Sequence, residues 1–284
     1  MLLRPRNALI GAAVAVVLLI ATWWLAFHVG VFRRLDESIF RGFYDLSRRS
    51  TIDSIATRVA GLCDPKPYVY VVAIPLVVAL ARRRFGLAIA LGAIILGANA
   101  TTELLKPLLA QPRPDSLLGG VTPVGPASWP SGHATAAMSW ALCMILAVPG
   151  RMRPAVAAVG AAFAVAVSYS FLVLGWHYPS DVLGGYLVAA IWTLLGVAAL
   201  RAARVSVGRG RPPGPERQVS LSAALTPPVA ALVLALLLAA LIAVSRPHDV
   251  TAYVQSHRAF MIGAAAIGAL ALALATGMML ALRR

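Results

Sequence analysis

The sequence predicts an all-α fold, a polytopic transmembrane helical bundle of about eight spans. Three observations predict it. Of the 284 residues, 60% are hydrophobic and 12% charged, where soluble domains are nearer half apolar and a quarter charged. The apolar excess is gathered into uncharged runs. The basic residues between those runs are segregated, so that alternate connections are rich or poor in arginine.

The first run, 8–32, follows Arg4 and Arg6. It is too long for a signal-peptide core, and no small-residue cleavage site precedes Arg33-Arg34, so it reads as a retained anchor. The runs at 67–81, 85–102 and 134–149 fall short of the roughly 20 residues a spanning helix needs. They must sit straight or borrow flanking residues. Longer or near-sufficient runs follow at 154–176, 182–200, 219–245 and 259–282. Seven spans is the competing count.

Between the first two runs, 33–66 mixes twelve charged residues with Leu35, Ile39, Phe40, Phe43, Leu46, Ile52 and Ile55 at spacings of three and four. That pattern suggests one or two amphipathic helices at the outer interface; a solvated connector is the plainer alternative. Segment 204–219, with Gly208, Gly210, Pro212, Pro213, Gly214 and Pro215 among arginines, reads as a cytoplasmic linker. The chain then divides into a membrane core at 1–203, the linker, and a two-span hairpin at 220–284.

With the N-terminus in the cytoplasm, the cytoplasmic segments hold 14 of the 25 basic residues and one acid, Glu216. The positive-inside rule predicts that asymmetry. It places both termini in the cytoplasm and turns the formal charge of +15 into a report of topology, not of nucleic-acid binding. Abundant arginine beside two lysines fits a GC-rich, bacterial source, and the span count fits its cell membrane. Cys63 and Cys143 form no disulfide framework. Oligomeric state leaves no mark in the sequence.

Ionisable residues near a bilayer core are costly, and here they collect in three segments on the outer side. Lys106 and Arg113 flank a proline-stiffened turn after the third run. Lys106 could snorkel as a helix-end residue. Arg113, between two prolines, offers the forked guanidinium suited to phosphate oxygens. Next comes Pro130-Ser131-Gly132-His133. Ser131 is a natural N-cap and Gly132 permits close approach, so the helix start can hold an anion beside His133. Last, Asp181 follows His177 by four residues and can fix its tautomer, leaving the other ring nitrogen as a nucleophile. A helix-end Asp with an interfacial His is the bland reading. Together the three segments make a set for phosphoryl transfer, with no carboxylate cluster for a metal.

These residues resemble the signature of the type 2 phosphatidic acid phosphatase, or lipid phosphate phosphatase, superfamily. Lys106 and Arg113-Pro114 match its first element, Pro130 to His133 its second, and His177 with Asp181 the end of its third. The resemblance spans roughly 60–203 and implies a six-helix-type phosphatase core. By it, His177 attacks phosphorus, Asp181 orients it, and His133 protonates the leaving oxygen. Lys106, Arg113, Ser131 and Gly132 would hold the phosphoryl group, and no metal or cofactor is needed. The implied partner is a membrane lipid phosphate, either a polyprenyl phosphate or diphosphate or a phosphatidic-acid-like lipid. It would be cleaved on the extracytoplasmic face.

One position departs. The family's third element begins Ser-Arg, and this chain has Ser170-Phe171. Another outer cation such as Arg41, Arg58, Arg246 or Arg258 could substitute, the substrate could differ, or the site could be slow or inactive. A phosphotransferase and a non-catalytic lipid-phosphate binder are the alternatives. Trp129 and Trp176 are candidates for the mouth of the site. Glu103 is read as a helix-end partner of Lys106, and His248 and His257 as solvated.

Overall fold

The computed structural model describes residues 4–112, 124–206 and 220–282. Arg113 and nearly all of the 204–219 linker lie outside the described residues. Among the described residues the regular structure is entirely helical: α1 (Pro5–His28), α2 (Gly30–Tyr44), α3 (Ser50–Ala60), α4 (Pro65–Ala81), α5 (Phe85–Leu108), α6 (Gly132–Ala147), α7 (Arg153–Val173), α8 (Pro179–Ser206), α9 (Leu221–Ser245), α10 (Pro247–Ser256) and α11 (Arg258–Ala281). The chain is a polytopic membrane protein. Helices α1, α4 to α9 and α11 fall on the eight predicted runs in order.

Six of these are long and apolar enough to cross a bilayer alone, and α3 with α4, bent by 60° at their junction, would make a seventh. The short one is α6, whose 16 residues reach about 24 Å at 1.5 Å per residue. Its length is tolerated because protein surrounds it. Twelve of its residues are buried, and α4, α5, α7, α8 and α11 pack around it. The third run, expected to be short, continues as α5 to Leu108. Its polar residues are satisfied internally: Thr102 Oγ1 lies 3.0 Å from Thr135 Oγ1, and Trp192 Nε1 donates to Thr101 Oγ1 at 2.9 Å. Such pairing keeps a helix viable where water is absent.

The 33–66 connection contains two helices, α2 and α3. One face of α2, carrying Asp36, Ile39, Phe40 and Phe43, is buried at the spacing an amphipathic helix requires. Phe43 packs on Tyr169 of α7 and Phe260 of α11, with ring centroids 5.1 and 4.8 Å apart. Small residues allow the close approach, as is usual between membrane helices. Gly263 of α11 lies against the Ile39 side chain, and Gly42 of α2 against Phe260. The last helix is thus built onto α2 and α7, and Tyr169 donates to the Ala264 carbonyl at 2.6 Å. Helix α9 packs mainly on α7 and is otherwise almost entirely exposed, as suits a lipid-facing span.

One sequence expectation needs correction here. His257 is not solvated: its Nε2 lies 2.9 Å from Asp45 Oδ2, and its ring stacks on Tyr253 at 4.4 Å. Burial, with Asp45 nearby, pushes the Tyr253 phenol up to about 12, so it stays a donor and bonds the Gly42 carbonyl. The turn before α11 is therefore anchored to the turn after α2. At the other end of the bundle, Arg82 donates to the Ala147 carbonyl and Arg153 to that of Leu282 at 3.0 Å. Cations there satisfy the unpaired carbonyls of α6 and α11.

Replacing Gly263 by Leu would drive the new side chain into Ile39. Overpacking of this kind costs about 1–3 kcal/mol, so the midpoint of thermal unfolding in detergent should fall by several degrees. An unchanged midpoint would contradict the α2–α11 contact.

Candidate functional site

The site is built where α6 begins. Ser131 precedes the first helical residue with extended backbone, and its Oγ accepts from Ala134 N at 3.3 Å, the arrangement of an N-cap. Ser131 is fully buried. Its own N–H donates to the Asp181 carbonyl at 3.0 Å, joining the second and third motif segments through the main chain. The joint is tight because α8 carries Gly184-Gly185 at the crossing. A Cβ on Gly185 would stand 2.6 Å from the Ser131 oxygen and 2.9 Å from Thr135 N. No side chain larger than hydrogen fits without displacing backbone.

The approach from α7 is equally determined. The helix ends in a Schellman turn: Trp176 N donates to Phe171 O at 3.0 Å and Gly175 N to Leu172 O at 3.1 Å. Gly175 takes the left-handed backbone, φ 72°, that glycine adopts without strain. Two residues later stands His177. Its Nδ1 lies 3.3 Å from Asp181 Oδ2, which also accepts from Tyr178 N at 3.0 Å. Asp181 is wholly buried and His177 nearly so. The carboxylate thus holds one ring nitrogen and leaves Nε2 as the free one. An acid in the first turn of α8 is also favoured by the helix dipole.

Helix α2 supports this turn from outside. Ser180 donates from N to Asp36 Oδ1 at 2.9 Å and from Oγ to Asp36 Oδ2 at 2.6 Å. The Phe40 ring packs on Tyr178 with centroids 4.7 Å apart. Asp36 therefore satisfies the start of α8 from 144 residues away, a role no local pattern in the sequence announces.

Lys106 reaches the start of α6 from α5. A Cβ on Gly132 would lie 3.3 Å from both Lys106 Nζ and Glu103 Oε1. Those two groups pair at 2.6 Å, the partnership expected of Glu103. His133 stands in the first turn of α6, and its Nε2 lies 3.1 Å from Asp64 Oδ1. Asp64 immediately precedes α4 and was not singled out from the sequence. Its clue was an acid at a helix start with Pro67 in the third helical place, which lacks one of the two N–H groups a capping carboxylate takes.

Phe171 lies between the histidines. It is fully buried, with ring centroids 5.9 Å from His133 and 5.1 Å from His177. Trp176 is 40% exposed and 5.5 Å from His133, so it borders the site. Trp129 is buried beneath Gly184 and does not border the mouth. His133, His177, Asp181, Lys106, Ser131 and Gly132 come together, whereas Arg113 lies outside the described residues. Cys63 and Cys143 are buried and free. Among the described residues no group of three or more His, Cys, Asp or Glu side chains forms a metal-binding cluster.

Fold and site together define a helical membrane protein with a His–Asp pair and a cation at one helix N-terminus. Residues 86–205, which run through α5 to α8, match the family model of the PAP2 superfamily. It is 35% identical over 91 residues to phosphatidylglycerophosphatase B of Escherichia coli (strain K12), covering 32% of this chain and 35% of the relative. It is 34% identical over 109 residues to the undecaprenyl-diphosphatase of Sulfolobus acidocaldarius, covering 37% and 48%. The matches thus span less than half the length of these curated relatives. Among solved structures it is similar in fold to a PAP2-type phosphatidylglycerolphosphate phosphatase from Bacillus subtilis. The TM-score is 0.55 at 19% identity, over 71% of this chain and 99% of that one.

Replacing Asp36 with Ala removes both acceptors of Ser180. Lost helix caps cost about 0.5–2 kcal/mol, so the midpoint of thermal unfolding in detergent should fall. An unaltered midpoint would show that Asp36 does not hold the start of α8.

Proposed function

We propose that this chain is a membrane lipid phosphatase that removes a phosphate or diphosphate from a lipid through a histidine nucleophile. The observation that carries the reading is the His177–Asp181 pair set against the N-terminus of α6. There Lys106 and the first backbone N–H groups converge on space that a phosphoryl group would fill. In this reading Nε2 of His177 attacks phosphorus while Asp181 holds Nδ1–H and stabilises the positive charge. His133 gives a proton to the departing lipid oxygen and later takes one from the attacking water. Arg113, from the same first motif as Lys106, completes the cation set.

The same reading puts the site on the extracytoplasmic side and both termini in the cytoplasm. The arginine-rich connections support this, as does the gathering of Arg82 and Arg153 at the end of the bundle away from the site. A site at the ends of the spans, near the headgroups, favours a substrate presented by the bilayer. The two relatives are named for phosphatidylglycerophosphate and undecaprenyl diphosphate. A glycerolipid phosphate and a polyprenyl diphosphate are accordingly the substrate classes to try first.

Phe171 favours a second reading, a lipid-phosphate-binding protein with little turnover, because the family's arginine is missing from between the two histidines. One charge-assisted hydrogen bond is worth about 1.5–3 kcal/mol, a loss the remaining cations must offset. Phosphate release from purified protein, assayed on both lipid classes without added metal, separates the readings. The parent should release phosphate, His177→Ala should lose at least roughly 10³-fold, and Asp181→Asn roughly 10²- to 10⁴-fold. Binding without release by the parent would favour the second reading. Transfer of phosphate to another lipid instead of water would mark a phosphotransferase.

A further inference from the structure

We propose that Asp64 is a positioning residue for His133, so that the site contains two His–carboxylate pairs, one on the nucleophile and one on the proton donor. The inference rests on the phosphatase reading above.

The position of Asp64 carries it. Asp64 occupies the N-cap of α4 with extended backbone, yet its side chain caps nothing in its own helix. A capping carboxylate takes the N–H of the second or third helical residue. Here the third is Pro67, which has none, and Pro65 fills the first place. The Asp-Pro-Lys-Pro sequence therefore weakens the local use of the carboxylate. Its main chain is held instead, with Asp64 N donating to Gly61 O at 3.2 Å and Tyr68 N to Asp64 O at 2.9 Å. One turn further on, Tyr68 bonds the Ala136 carbonyl of α6 at 3.2 Å. The start of α4 is thus fixed beside the start of α6, and Asp64 Oδ1 meets His133 Nε2 at 3.1 Å.

That contact selects the working atom. With Nε2–H donated to Asp64, the His133 nitrogen that exchanges protons with substrate is Nδ1. As the P–Nε2 bond to His177 forms, the bond from phosphorus to the lipid oxygen breaks. That oxygen takes the Nδ1 proton, while Nε2–H stays with Asp64. Water then attacks phosphorus, its proton passes to Nδ1, the P–N bond breaks and inorganic phosphate leaves. Asp64 gains no proton; it favours the protonated ring and fixes its orientation. The other ionisable groups around His133 are Lys106 and Glu103 on α5 and His177 across Phe171.

The test uses the full chain in lipid–detergent micelles and two probes: an alkyl lipid phosphate, whose leaving oxygen needs a proton, and 4-nitrophenyl phosphate, whose leaving group does not. Asp64→Asn should lower the ratio of alkyl to aryl kcat by about 10- to 100-fold. The alkaline limb of the alkyl kcat profile should move to lower pH, and Asp64→Glu should recover much of the ratio. His133→Ala should show the same selective defect, larger. If His133→Ala is selective but Asp64→Asn lowers both probes alike, or neither, the inference is overturned and the phosphatase reading stands. If His133→Ala shows no selectivity, or the parent hydrolyses neither probe, both fail.

Discussion

The site depends on one contact, the crossing of α8 over the first turn of α6. Gly185 lets the two backbones meet, and the Ser131 N–H bonds the Asp181 carbonyl. Without that approach, the His177–Asp181 pair would not stand beside the N-terminus of α6. Any residue with a Cβ at 185 must push a main-chain atom aside, and a close-packed membrane interior has little room for such a shift.

Around that crossing, the site's turns and side chains are braced partly from distant elements and partly from their own helix. Asp36 and Phe40 of α2 brace the His177–Tyr178 turn, Asp64 meets His133, and Glu103 holds Lys106 over Gly132. Helix α2 is braced in turn by α11 through Ile39, Gly42 and Phe43. The last span of the chain is therefore connected through α2 to the His177–Tyr178 turn. Phe171 fills the space between two histidines with a buried ring, and Lys106 stands beside Gly132 at the helix N-terminus.

Much of this could be read in the residues themselves. The eight runs became eight helices because apolar length is a strong signal when charge is absent, and the short fourth run is short because α6 is wrapped by protein. Ser131 as a cap and the i, i+4 relation of His177 and Asp181 follow from local helix geometry, so their contacts were legible. Asp36, Asp64 and the His257–Asp45 pair were not. Each joins residues between 69 and 212 positions apart, and such partners depend on how helices cross, which periodicity does not encode. Phe171 was visible as a missing arginine, but its place between the histidines appears only once α7 and α6 are packed.

The most direct measurement is capture of the covalent intermediate. The protein would be mixed with a lipid carrying radiolabelled phosphate, quenched in alkali to preserve phosphohistidine, and the label mapped by peptide. The label should fall on the peptide containing His177 and vanish in His177→Ala. Rapid phosphate release with no label at His177, or with label on another residue, would contradict the nucleophile on which the account is built.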